Sequence, residues 1–475
     1  MFNKEDFKRQ GYQLIDWIAE YFDGVEKFPV RPALKYGAIR KDLPVDPPDD
    51  PESFDTIFQD FRDKLLPGIT HWQSPKFFAY FPANNSVPSV QAEFLTAALG
   101  VQGMKWVTSP AATELEEVVM DWLRNMTGLS ANFKGVILDT ASVSTLCAIL
   151  TARERYTGRE ANQKGLKNYV CRVYCSSEAH SSVEKAVRIA GIGSENLVKI
   201  PVDEQCRMVA ADLEEAVYKD KKKGYVPTCI VAALGTTGTC SFDPIDKIAA
   251  IASESNVWLH VDAAFAGTAL ILPEFRKLFR KLSEADSLVF NPHKWMFTNF
   301  DCSAFFVKNP DELQDTFRLV PAYLQTQNNN EANDYSNWGI HLGRRFRALK
   351  LWFVIRHYGL KGLQQMIRQH IYYADYFADQ IAATGLFELV IPKSLAVVSF
   401  RLSPKERYNP DQINELNKQL LEDINDRGNI YLSHTMVGKK FTLRFVCAQT
   451  NIEMRHVEEA LHEIEFCAQH LLNSH

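Results

Sequence analysis

The chain has 475 residues, with 53 Lys plus Arg against 58 Asp plus Glu and a formal net charge of -5. Hydrophobic residues at 46% and charged ones at 23% exclude wholesale disorder; the length fits about two to four domains, or one large catalytic domain with appendages. The mild acidity supplies no concentrated cation for a nucleic-acid backbone, and no apolar run approaches the ~18 residues of a membrane span.

The start, Met1 to Arg9, is charged and lacks the apolar core of a signal peptide. Nine cysteines, an odd number without repeated spacing, suit reduced thiols. Both features predict a soluble, cytoplasmic protein, in which the glycosylation-like triplets at Asn84 and Asn125 are chance. Phe7, Gly11, Leu14, Ile15, Ile18 and Phe22 recur at helical spacing and predict an amphipathic N-terminal helix that needs a partner surface. Such an arm packs either on another subunit or on its own core. Pro44, Pro47, Pro48 and Pro51 then mark an extended connector.

From about residue 86 the pattern turns α/β. Leu115, Val118, Val119, Trp122, Leu123 and Met126 predict a helix behind Pro110, a residue suited to a first turn. Apolar runs at 136–138, 169–174, 229–233, 257–261 and 287–290 alternate with helical segments, which predicts a mainly parallel sheet covered on both faces. Ligands in such folds sit beyond the carboxyl ends of the strands. The last hundred or so residues change character. Apolar runs at 387–391 and 396–400, a helix with Ile413, Leu416, Leu420 and Ile424 on one side, a hairpin around 437–440 and a last helix opened by the capping box Thr450/Glu453 predict a smaller α+β domain.

Four predicted strand ends carry residues able to do chemistry. Asp139-Thr-Ala-Ser142 leads into a helix whose free N–H groups would seat a phosphate, or is an ordinary N-cap. Asp262 ends the run 257–261; a carboxylate there meets a cation or donors, or caps a loop. Lys294 follows the run 287–290 under Trp295, where a lowered pKa makes a nucleophilic amine; the alternative is a snorkelling side chain. His180 sits at a strand-to-helix turn. Anion cradle, buried acid, amine and flat imidazole together are what pyridoxal phosphate requires. Neither a P-loop nor a complete dinucleotide fingerprint occurs, and Cys171, Cys175 and His180 lack a second pair of zinc ligands. Lys221–Lys223 reads as a solvated helix end. Arg344, Arg345 and Arg347 bind an anion or salt-bridge a subunit surface.

Five segments, 71–82 (HWQSPKFFAYFP), 109–116 (SPAATELE), 259–264 (LHVDAA), 291–295 (NPHKW) and 342–347 (LGRRFR), resemble the group II pyridoxal-phosphate decarboxylases, and within them the aromatic-L-amino-acid decarboxylases. The resemblance runs in order over nearly the whole chain. It implies the fold-type I, aspartate aminotransferase-like architecture: a swapped helical arm (1–85), a large cofactor domain (86–365) and a small C-terminal α+β domain (366–475), assembled as a homodimer with the active site at the subunit interface.

The resemblance also implies roles. Lys294 is the Schiff-base amine, Asp262 partners the pyridine nitrogen, and His180 stacks on the ring with Ala264 on its other face. Ala141, Ser142 and Asn291 hold the phosphate, while Thr236 and His293 line the site. Trp72, Tyr80, Phe81 and Pro82 belong to the substrate pocket, and Gln102 and Met104 reach the substrate ring of the neighbouring subunit. Tyr323, in the Asn-rich stretch 321–334, is the catalytic tyrosine of a closing lid. Relatives with Phe there are aldehyde synthases, so Tyr implies amine and carbon dioxide as products. Gly343 leans towards indolic substrates. Gln102 and Met104 depart from the usual apolar residue and Phe, Ala83 replaces a hydroxyl found in some members, and Leu138-Asp139 replaces a more polar or glycine-rich turn. The alternatives are a histidine or other non-aromatic substrate, transamination on the same cofactor, and a non-catalytic homologue.

Overall fold

The computed structural model describes residues 2–319, 332–404 and 407–474. They fall into two compact units, one of Ala83–Ala374 with Ile391–Ser399, the other of Met1–Pro82, Asp375–Val390 and Phe400–His475.

The larger unit is built on a seven-stranded sheet. Its strands are β1 (Lys134–Leu138), β2 (Cys171–Ser176), β3 (Leu197–Ile200), β4 (Val226–Ala233), β5 (Trp258–Asp262), β6 (Ser287–Phe290) and β7 (Ser303–Val307), in the order β1-β7-β6-β5-β4-β2-β3. β7 runs antiparallel to β1 and β6, and the other pairs are parallel. Two reversals restore direction, so β1 to β6 all end at the same edge. Register aligns those ends: Asp262 lies opposite Ala233 on one side and Val289 on the other. Near-continuous Val, Ile, Leu and Cys in the central strands reflects burial on both faces. The predicted strands are all present. β3 and β7 fall outside the predicted set: β3 is a four-residue, half-exposed edge, and β7 is a buried return strand with no alternation to mark it.

The helix Ala141–Tyr156 crosses one face of this sheet. Leu146, Ile149 and Ala152 pack with Val173, Cys175, Cys229 and Val231, while Ala141, Cys147 and Ala148 join Val136, Leu138, Val289 and Phe305. The predicted helix behind Pro110 spans Pro110–Thr127, with Ser109 capping it and Pro110 in its first turn. All nine cysteines are buried free thiols. No helix among the described residues is long and apolar enough to cross a membrane.

A second sheet consists of β8 (Phe387–Leu389), β9 (Val397–Leu402), β10 (Ser433–Val437) and β11 (Lys440–Val446), ordered β10-β11-β9-β8; the smaller unit carries β8, β10, β11 and β9 from Phe400 onward. The hairpin expected around 437–440 joins β10 to β11, with Gly438 at positive φ in its turn. Phe445 of β11 stacks between Phe377 and Phe78 at 3.8 and 4.2 Å. The final helix starts at Met454, later than a Thr450/Glu453 box requires. The side chain that reaches back is His456, whose Nδ1 accepts the Glu453 N–H at 2.9 Å.

The N-terminal helix is Lys4–Gly24. Of the two alternatives for the arm, its later part packs on its own chain, with Glu26 paired to Arg455 and Lys76 to Glu459. The helix itself leaves Phe7, Tyr12, Leu14 and Ile15 exposed.

Candidate active site

The shared carboxyl edge of β1, β2, β4, β5 and β6 gathers the polar strand ends. After β1, Asp139 Oδ1 accepts the Thr140 N–H at 2.6 Å, and Thr140 Oγ1 caps the following helix by accepting the Val143 N–H. The first-turn N–H groups of Ala141 and Ser142 therefore have no intrahelical acceptor and stand at the positive end of a 16-residue helix. That arrangement seats an anion.

Alternation along β5 puts Trp258, His260 and Asp262 on one face. His260 meets Thr145 Oγ1 at 3.2 Å, which identifies that face as the one covered by helix Ala141–Tyr156. Asp262 thus stands on the side of the anion seat, its Oδ1 accepting the Ala264 N–H at 3.1 Å. Ala264 is half-buried and its carbonyl accepts the Asn291 N–H at 2.9 Å, tying the end of β5 to the end of β6.

Asn291 opens the short turn Pro292–Trp295 that bears Lys294. Its side-chain oxygen is buried and has no hydrogen-bond partner among the described residues. Lys294 N–H donates to Asn291 O at 2.9 Å, and Asn84 Nδ2–H donates to the Lys294 carbonyl at 2.8 Å. His293 is buried and accepts the Cys302 N–H on Nδ1 at 2.8 Å. Burial first, then the Lys294 charge, pushes its pKa down to about 3, so the ring is neutral with its proton on Nε2.

His180 occupies the turn between β2 and helix Ser182–Ile189. Its Nδ1 accepts the Ser182 N–H at 3.2 Å, which leaves Nε2 to carry the proton. The ring is open to solvent but crowded by protein, and this crowding lowers its pKa. Asp262 pulls the pKa up and Lys294 pushes it down, so both groups lie within electrostatic range of the imidazole. At the end of β4, buried Thr236 Oγ1 lies 3.0 Å from Thr239 Oγ1 and accepts the Ser241 N–H. Gly235 precedes it at φ +100°, and a Cβ there would come within 2.8 Å of Ala266.

The remaining expected residues form two other groups. In the larger unit, Gln102 Oε1 accepts the Arg344 N–H at 2.6 Å and Gly103 N–H donates to Arg344 O, so Gln102 lies against Gly343. Met104 O accepts the Ser336 N–H at 2.9 Å close by in sequence. In the smaller unit, Trp72 and Tyr80 stack at 5.9 Å, and Tyr80 Oη meets Tyr431 Oη at 3.4 Å. Phe81 lies under the Arg444 guanidinium at 5.4 Å, and Pro82 is buried. Tyr323 belongs to 320–331, outside the described residues.

The description "Pyridoxal-dependent decarboxylase conserved domain" matches residues 37–403. The chain belongs to the pyridoxal-dependent decarboxylases. It is 42% identical to the aromatic-L-amino-acid decarboxylase of Mus musculus, over 99% of each protein. It is 38% identical to the phenylacetaldehyde synthase of a Rosa hybrid cultivar, over 99% of this chain and 95% of that one. The Oryza sativa enzyme TDC, solved with PLP and tryptamine, superposes with a TM-score of 0.96 at 34% identity, over 99% of each chain.

Pyridoxal 5'-phosphate is accordingly the cofactor of this carboxy-lyase, and the fold is that of fold-type I. The decarboxylase's own residues fit the group. A helix N-terminus with unused donors, a carboxylate on the same side of the sheet, an open imidazole, a lysine on the same edge and an orphaned buried amide oxygen answer its phosphate, pyridine nitrogen, ring face, aldehyde and polar substituents.

Several supporting residues were absent from the sequence expectations. Asn84 and His260 act through long-range contacts with no local signature, although a polar residue at every second position of a buried strand, His260 then Asp262, is a usable signal. The triplet Arg344, Arg345 and Arg347 forms ion pairs within the chain. Arg344 pairs in the interior with Glu116 at 2.6 Å, and Arg345 and Arg347 bond Glu93 and Asp301. Lys221–Lys223 is an exposed helix end, as expected.

Proposed function

We propose that this chain removes carbon dioxide from an aromatic L-amino acid (Trp, Tyr, DOPA, 5-hydroxytryptophan or Phe) to leave the arylalkylamine, with Lys294 as the lysine that carries the cofactor. The observation that carries this reading is the meeting of Asp262, His180 and Lys294 at one strand edge in a chain of this family.

Pyridoxal 5'-phosphate, when bound, supplies a conjugated sink for the electron pair released as the Cα–carboxylate bond breaks. The Ala141 and Ser142 N–H groups and the Asn291 amide hold the phosphate, and the helix dipole adds to their attraction. Asp262 keeps a proton on the pyridine nitrogen, since a carboxylate beside it favours the charged form. His180 and Ala264 bracket the ring, and Thr236 and neutral His293 line the pocket. Tyr323 delivers a proton to the substrate Cα once the carboxylate has left.

The aromatic side chain is supported by the names of the relatives and by the Trp72–Tyr80–Phe81 cluster, whose flat faces suit an aryl ring. Gln102, Met104 and Gly343 are the residues proposed to tune ring preference. We assign 1–85 to an exchanged arm, 86–365 to cofactor binding and 366–475 to a small domain, in a cytoplasmic homodimer. The exposed Phe7, Tyr12 and Ile15, with Phe94, Leu95 and Leu99 on helix Val87–Leu99, give a second copy of the chain apolar surface to cover.

Borohydride reduction of the holoenzyme followed by peptide mapping tests the centre of the proposal, and carbon dioxide and amine release from Trp, Tyr, Phe, DOPA and His tests the substrate. Label on another side chain, or turnover of histidine alone, would overturn it. A second reading, oxidative aldehyde formation, is raised by the 38% identity to a phenylacetaldehyde synthase. Peroxide release distinguishes the two.

A further inference from the structure

The turn that bears Lys294 has only four helical residues, Pro292–Trp295, too few to hold themselves by intrahelical hydrogen bonds. Something outside must fix it. One support is Asn84, on the Lys294 carbonyl. The other starts from Trp295, which is fully buried and lies nearly parallel to Phe265, with centroids 4.5 Å apart and planes 8° apart. Phe265 comes three residues after Asp262, so this stack ties the lysine's turn to the strand end that presents the carboxylate.

The indole also has a polar edge in the interior. Its Nε1–H donates to His370 Nδ1 at 2.9 Å. An indole can only donate, so His370 must keep Nδ1 bare. His370 is 3% exposed on the helical segment that follows the break at Gly359 within Arg347–Ala383, with Phe297 edge-on to its ring at 5.7 Å. Burial pushes its pKa down to about 3, which keeps it a neutral acceptor under working conditions. Stacking alone would be served by any flat apolar ring, which could slide over Phe265. The hydrogen bond removes that freedom, because a buried indole N–H has nowhere else to go.

We infer that Trp295 and His370 form a positioning pair for the lysine: stacked on Phe265 and hydrogen-bonded to His370, the indole fixes where the Lys294 amine stands relative to Asp262. Both side chains are buried, and the pair acts through the turn. It rests on the reading of Lys294 as the cofactor lysine.

The test is reconstitution of the apoenzyme with pyridoxal 5'-phosphate, followed by the visible absorbance of the lysine-bound cofactor and by its visible circular dichroism, which reports how the bound ring is held. His370→Leu removes the acceptor, and formation of the chromophore should slow about tenfold or more, with ellipticity falling at full occupancy. His370→Asn, whose Oδ1 replaces Nδ1 as acceptor, should recover to within about threefold of wild type. A His370→Leu protein that reconstitutes at the wild-type rate with native ellipticity, and merely melts earlier, overturns the pair. If His370→Leu does not fold, Trp295→Phe decides: it keeps a ring on Phe265 without the N–H, so the same slowing is expected and wild-type behaviour overturns the inference. Borohydride mapping separates the two failures, because label absent from Lys294 removes the underlying reading, whereas label on Lys294 with unaffected variants removes only the pair.

Discussion

His260 Nε2 stands 3.2 Å from Thr145 Oγ1, and its Nδ1 lies 2.9 Å from Ser287 Oγ. Through this buried ring, β5 with its terminal Asp262, β6, and the helix that begins at Ala141 are held as one block. Trp258 Nε1–H joins them by donating to the same Ser287 oxygen at 2.8 Å. His260→Leu leaves Thr145 without this partner in a fully buried place and removes a polar bridge between three elements. A loss of about 2–4 kcal/mol of stability is expected. Urea unfolding checks it, and His260→Asn should recover part of the loss if the bridge is the cause.

Five buried histidines, His71, His260, His293, His370 and His456, are held below the ordinary imidazole range and contribute a pH dependence, three of them by large shifts. Burial depresses His260 to about 4, and His293 and His370 to about 3, against roughly 6.5 in the unfolded chain. Between those values the unfolded state binds protons that the folded state refuses, so stability falls as pH drops from about 6.5 towards 4. Each of these three contributes a slope approaching ~1.4 kcal/mol per pH unit, and above about pH 7.5 the dependence on these groups vanishes. Stability measured by urea unfolding from pH 8 to 5 gives the slope, which His370→Asn should lower by up to ~1.4 kcal/mol per pH unit below about pH 6. A flat profile below pH 6 contradicts the assignment.

Tyr323→Phe removes the proposed proton donor. Amine formation should fall by about 10²-fold or more. The substrate should then lose carbon dioxide and react with one dioxygen and one water to give aldehyde, ammonia and hydrogen peroxide. Oxygen uptake and peroxide release measure this. Amine produced at an undiminished rate would refute the role of Tyr323.

Gly343→Ser places a Cβ 3.4 Å from Gln102 Nε2, a contact the amide can accommodate. Stability should change by no more than about 0.5 kcal/mol. The ratio of kcat/KM for Tyr over Trp should rise, since a hydroxyl beside the Gln102 amide adds polarity at the proposed ring wall. An unchanged ratio would remove Gly343 and Gln102 from substrate selection.

The sheet was legible because its central strands are apolar runs bounded by polar residues, and the ends of those runs named Asp262 and Lys294 directly. His180 was legible only through its company. His370 was not, because nothing in Arg368-Gln-His370 announces a contact with a tryptophan 75 residues earlier. Thr450 and Glu453 had the spacing of a capping box, yet His456 captured the Glu453 N–H and moved the helix start to Met454. The arm divided in the same way: charged residues from Glu26 onward found partners in their own chain, while apolar spacing in Lys4–Gly24 could not say what covers it.

The antiparallel return of β7 also bears on how the chain is made. Within the sheet β1 neighbours only β7, Lys134 lying opposite Val307, and its other side is closed by Glu116 and Arg344 on Ile137. The earliest strand to leave the ribosome is therefore the last to be joined. The helix start proposed to seat the phosphate has no finished wall until translation has passed Val307, about two-thirds of the way along the 475 residues.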